Sequence, residues 1–162
     1  MVITLTACLS GRSQPTHYYT LPYTGDFVAS SGQPDVGSLR LLEPEIASIY
    51  DRRQIVQRVS PTQIRYLSQE LWAVRLSDTI GEAVRSAVEQ SGLFSPVVPW
   101  TARADLRRQA EYALETDIAQ MEYAAGTSGA ERGSAKVELS FRLRRNGGDV
   151  LLEHSKRVER AL

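Results

Sequence analysis

The sequence predicts an α+β domain: a mixed, largely antiparallel sheet with a long helix and shorter helical segments packed on one face. Three observations carry this. Ala135, Val137, Leu139, Phe141 and Leu143 alternate with Lys136, Glu138, Ser140, Arg142 and Arg144, which is the period of a strand with one buried and one wet face. Asn146-Gly147-Gly148-Asp149 follows and reads as a hairpin turn, since Asn and Gly tolerate positive φ. Between Glu70 and Ser91, Trp72, Leu76, Ile80, Ala83, Val84, Ala87 and Val88 recur at three- and four-residue steps, the period of a helix.

Taken in order, Thr16 to Tyr23 is aromatic and β-branched and predicts a first strand stopped at Pro22. Thr24 to Gly37 is small, polar and glycine-rich, hence a loop. Ser38 to Leu42 predicts a strand stopped by Pro44. Around Ser60-Pro61, Ile55, Gln57 and Val59 on one side, and Thr62, Ile64 and Tyr66 on the other, predict a pair of strands about a turn. The helix then takes Glu70 to Ser91, with Ser68 as its cap and Gly92 as its terminator. At 1.5 Å per residue this is a rod of roughly 33 Å. Pro96 and Pro99 hold the next stretch extended. Leu106, Ala110, Ala113 and Leu114 fit a helix, whereas Tyr112, Leu114, Thr116 and Ile118 fit a strand. The favoured reading is a short helical turn before Gln109 and a strand from Tyr112 to Tyr123. Ala124 to Ser134 is a loop, and Val150 to Arg160 returns antiparallel to close a meander.

The chain's 162 residues predict one domain with a real core. Lys plus Arg equals Asp plus Glu at 19 each, so no net charge draws the chain to nucleic acid or anionic lipid. No apolar run approaches the roughly 20 residues of a membrane span. Enzyme signatures are missing: there is no Gly-x-Ser-x-Gly, Walker loop, His-Glu-x-x-His or Cys-x-x-Cys. His17 and His154 pair with no nucleophile, and Gly126, Gly129 and Gly133 fit a hairpin loop better than a phosphate cradle. The expectation is no enzyme, no cofactor and no metal.

Cys8 is the only cysteine, which excludes an internal disulfide. Leu5-Thr6-Ala7-Cys8 resembles a bacterial lipobox, in which two small residues fit a peptidase cleft and the cysteine sulfur takes the lipid. Residues 1–7 hold no Lys or Arg and are shorter than a full signal, so they read as the remnant of one. Residues 8–15 then form a lipid-anchored polar tether, and residues 16–162 a single periplasmic domain. Acyl chains contribute about 0.8 kcal/mol per buried CH₂, so two or three of them hold such a domain on a bilayer.

The succession of lipobox, His17-Tyr18-Tyr19-Thr20-Leu21-Pro22, the segment from Arg52 to Phe94 with its Gln69-Glu70-Leu71-Trp72, the strand at Tyr112 to Tyr123 and the final hairpin resembles the ABC-type transport auxiliary lipoprotein family. The resemblance implies a non-catalytic component accompanying transporters with mammalian-cell-entry (MCE) domains, which move lipids across the bacterial envelope. Its implied partners are the MCE-domain protein and, through the acyl chains, the outer membrane, since Leu9 rather than Asp follows the cysteine. The domain would face the periplasm and bind no nucleic acid. A lipid-binding carrier with its own apolar pocket is the alternative. Family members continue into a C-terminal helix where this chain stops at Leu162; without that helix an apolar sheet face lies bare and favours a homo-oligomer. Docking surfaces favour aromatics and Arg, so the partner-binding candidates are Tyr18, Tyr19 and Tyr23 on the first strand, and Arg142 and Arg144 on the late one.

Overall fold

The computed structural model describes residues 14–21, 36–125 and 133–161. Its strands are β1 His17–Tyr19, β2 Leu39–Leu41, β3 Glu45–Ile46, β4 Gln54–Ser60, β5 Gln63–Trp72, β6 Val97–Val98, β7 Tyr112–Ala124, β8 Ser134–Arg145 and β9 Val150–Ala161. Two helices stand among the described residues, α1 Leu76–Ser91 and α2 Ala104–Gln109. All strands join one mixed sheet, in which the long pairs β4–β5, β7–β8 and β8–β9 are antiparallel and the short ones are parallel.

β7 is the spine. One of its edges pairs with β8 along nearly its whole length. The other is divided among three strands, all parallel to it: β2 at Tyr112 to Leu114, β3 at Asp117 and Ile118, and β4 at Tyr123 and Ala124. The Tyr112–Ile118 alternation that suggested a strand is therefore borne out, because a neighbour waits on both sides to take its backbone donors and acceptors. A register shift between Ile118 and Gln120 marks a bulge at Ala119, which adds local twist to the strand.

The helix is shorter than expected. The sequence reading began it at Glu70 with Ser68 as cap, but Gln63 to Trp72 is one continuous strand. Glu70, Leu71 and Trp72 lie beside His17, Tyr18 and Tyr19 of β1, and Leu71 lies opposite Gln54 of β4. Partners on both edges overrode a helical spacing that Trp72 shared by coincidence. α1 has 16 residues, roughly 24 Å at 1.5 Å per residue, and does not cross the whole sheet. Its end is as expected: Gly92 sits at φ 66°, and its amide donates to the Glu89 carbonyl. The short helical turn before Gln109 is also present as α2.

α1 lays Leu76 and Ile80 on Ile118 of β7, with Ile46, Trp72, Val84, Met121 and Leu139 around them. Trp72 thus reaches the core from a strand rather than from the helix. Gly81 is required by contact, because any Cβ there would meet the Trp100 ring. Arg85 binds Glu82 at 2.6 Å and Glu89 at 2.9 Å on the opposite face of α1. The cover stops at β8: every described residue of β9 is exposed, including Leu152 and Val158.

Leu76 retains 4% of its surface. Leu76→Ala should cost about 2–5 kcal/mol in a denaturant titration. A loss below about 0.5 kcal/mol would mean that α1 does not hold the sheet.

Candidate functional site

Tyr18 and Tyr19 stand on β1, a strand of three residues that pairs, among the described residues, with β5 alone. The alternation of a strand predicts that one of the two is available to a partner; both are, at 60% and 43% exposed. They are positioned rather than loose. His17 Nδ1 lies 3.0 Å from Glu70 Oε1, the Ala73 amide donates to the Tyr19 carbonyl at 2.8 Å, and the Arg53 guanidinium lies 5.9 Å from the Tyr18 ring centre. The Tyr19 hydroxyl beside Glu70 holds that carboxylate below its ordinary value, with His17 adding to the effect. The same contact raises the Tyr19 phenol. Cys8 and Tyr23 lie outside the described residues.

Arg142 and Arg144 are on the wet face of β8, as the alternation predicts, but they are not free. Arg144 Nη2 donates to Glu115 Oε2 at 2.6 Å. Arg142 bridges Glu115 at 3.3 Å and Glu153 at 3.0 Å, and these two carboxylates raise its pKa, Glu153 more than Glu115. Glu115, Arg142 and Glu153 face one another across β7, β8 and β9, so one row of alternating charge crosses three strands. A shallow polar cavity of about 340 Å³ opens beside it, lined by Glu43, Glu45, Asp117 and Ser140 among others.

Sequence reasoning missed a second cavity. A trough of about 490 Å³ lies where β1, β4, β5, β7 and β8 meet. Its apolar lining includes Leu21, Ile55, Leu67, Trp72, Met121 and Val137, with Tyr19, Glu70 and Lys136 as polar groups. The volume and the apolar lining suit a small hydrophobic ligand or part of an acyl chain. Its residues come from five strands at irregular spacing, so no local pattern could announce it.

Glu122 also lines the trough and is the buried charged residue among the described residues, its side chain 1% exposed. Arg58 Nη2 donates to Glu122 Oε2 at 2.7 Å, the Tyr50 hydroxyl to the same oxygen at 2.9 Å, and Gln120 Nε2 to Oε1 at 2.7 Å. Burial alone pushes this carboxyl up, but Arg58 and Tyr50 outweigh it and the net shift is downward. Tyr50 is raised by its burial and by Glu122. An ionised carboxylate saturated with donors and a protonated phenol make a structural clasp, not an acid–base pair. The clasp ties β7 to β4, where only two residue pairs join them.

A family model described as ABC-type transport auxiliary lipoprotein component matches residues 19–162. Among solved structures, a Xanthomonas campestris protein of the DUF330 family superposes with a TM-score of 0.70 at 22% identity, covering 90% of this chain and 78% of its own. A second, uncharacterised protein gives a TM-score of 0.63 at 13% identity, covering 91% and 81%. These likenesses carry the fold. No curated protein matches the chain.

The clasp has a pH signature. The Glu122 pKa is depressed on folding, so its stabilisation is complete above the ordinary value of 4.5 and is lost as pH falls below it. Glu122→Gln should cost about 1–3 kcal/mol at neutral pH. That gap should narrow in denaturant titrations carried below pH 4.5, where the wild-type carboxyl takes up its own proton. A gap that stays constant with pH would mean that the charge plays no part.

Proposed function

The chain belongs to the ABC-type transport auxiliary lipoprotein family, and from that premise we propose that it is a non-catalytic docking component of an MCE-associated lipid transport system. Acyl chains on Cys8 would hold it at the outer membrane. Its domain would face the periplasm and receive the transporter's MCE-domain protein. The observation that carries this reading is the aromatic pair on β1. Two tyrosine rings are held at the surface by strand pairing and by the His17–Glu70 contact. Rigid aromatics bring a large contact area at little entropic cost, and they are enriched where proteins dock. Arg142 and Arg144 extend the candidate surface across the sheet. They present guanidinium groups already aligned by Glu115 and Glu153, so a partner carboxylate meets a preorganised donor.

The apolar trough favours a second reading, a carrier that takes a lipid chain between Trp72, Met121 and Val137. It shares a wall with the first, since Tyr19 belongs to both.

The test is retention of the MCE-domain protein on the immobilised chain. The paired change Tyr18→Ser and Tyr19→Ser should cut retention at least tenfold while unfolding free energy stays within about 1 kcal/mol. Arg142→Ala with Arg144→Ala should weaken retention by less. Alanine is preferred to charge reversal there, because a new carboxylate would face Glu115. Undiminished retention in the tyrosine variant removes β1 from the interface. A phospholipid extracted in stoichiometric amount from the purified chain would favour the carrier instead.

A further inference from the structure

Among the described residues β9 pairs with β8 alone, so it offers an outer edge 12 residues long, with every residue exposed. An open edge of this length is a template for another strand. We propose that its occupant is a second copy of this chain, paired β9 to β9 antiparallel about a two-fold axis at Ser155.

The register follows from symmetry and from side chains already in place. A two-fold axis normal to the sheet relates residues of the same facing, so each candidate axis passes through one residue of β9. An axis at Lys156 sets Lys156 against itself and Glu153 against Glu159. An axis at His154 sets Leu152 against Lys156, and one at Arg157 sets that arginine against itself. An axis at Ser155 sets Glu153 opposite the partner's Arg157, and Leu152 opposite the partner's Val158, each twice. The same axis sets His154 opposite Lys156, Val150 opposite Arg160 and Leu151 opposite Glu159, so no pair in it opposes like charges.

This register also continues the rows that cross each copy. Glu115, Arg142 and Glu153 already face one another, as do Gln120, Glu138 and Arg157. Joined at the axis, they read Glu115, Arg142, Glu153, then Arg157, Glu138 and Gln120 of the second copy. The charges alternate without a break. On the other face Leu114, Leu143 and Leu152 lie in line, as do Met121, Val137 and Val158. The same axis joins these into an apolar row across six strands and covers Leu152 and Val158, which stand 59% and 46% exposed in one copy. Of the four axes, only the one at Ser155 keeps both rows. Among these four axes, charge pairing and the apolar row together favour the one at Ser155.

Cross-linking reads the axis directly. Residues directly opposite across an antiparallel pair have Cα atoms about 4.5–5.5 Å apart, within the range a disulfide spans. In the full chain carrying Cys8→Ser, Ser155→Cys should form a covalent dimer of about 36 kDa, twice the 18.0 kDa chain, under mild oxidation. Glu153→Cys and Arg157→Cys would place their thiols about 14 Å from their own copies, at about 3.4 Å per residue, and should stay largely uncross-linked. Equal yields at all three positions would overturn the register. No cross-link in a folded Ser155→Cys variant would overturn the pairing. Should that variant fail to fold, sedimentation of the Cys8→Ser chain decides. A dimer that Val158→Glu weakens at least tenfold sustains the proposal. A monomer at every concentration overturns it, including one whose β9 is protected only by a different protein.

Discussion

The structure depends on one shared edge. β7 gives one side to β8, and the other in turn to β2, β3 and β4. A buried strand must satisfy its backbone groups on both sides, and here three separate pieces of chain do so on one of them. The cost is a weak seam, since β4 meets β7 through two residue pairs only. The Arg58–Glu122–Tyr50 clasp lies at that seam. A buried carboxylate is unfavourable unless paired and hydrogen-bonded, and Glu122 has a donor on each oxygen. The β4–β5 hairpin, and with it β1, depends on that pairing for its position.

From this frame the placement of the proposed docking residues follows. β1 hangs on the outer edge of β5, and its tyrosines are exposed there. β8 carries its arginines on the face opposite α1, because Leu139 of the same strand is committed to the core beneath the helix. The trough lies where β1, β4, β5, β7 and β8 meet, and Trp72 at the end of β5 forms part of its wall. A helix running from Glu70 would remove Glu70 and Trp72 from their strand positions in that wall. The strand ending at Trp72 is thus part of why the apolar trough exists.

Much of the fold was legible because period-2 alternation and turn chemistry are local. β8, the Asn146–Asp149 turn and the β4–β5 hairpin could be read from side chains alone. So could the Gly92 stop, since a positive φ at a helix end is a local demand. The start of α1 was not legible. Trp72 fits both a helical step from Leu76 and a strand position, and only pairing with β1 and β4 decides between them. The clasp was invisible for the same reason: Tyr50, Arg58 and Glu122 are separated by up to 72 residues. The exposure of Tyr18 and Tyr19, and the shared face of Arg142 and Arg144, were readable from residue type and alternation. That Glu115 and Glu153 already hold the arginines was not, because register between strands is a tertiary fact. The family model bears out the family resemblance, while Cys8, the proposed site of lipidation, lies outside the described residues.

Amide hydrogen exchange resolved by strand tests the central claim, that β7 organises the sheet. The account predicts that amides from Ala113 to Met121 exchange slowest, opening only with global unfolding. Amides of the β4–β5 hairpin should exchange faster, and faster still in Glu122→Gln while those of β7 barely change. A hairpin protected as strongly as β7, and indifferent to the loss of the Glu122 charge, would contradict it.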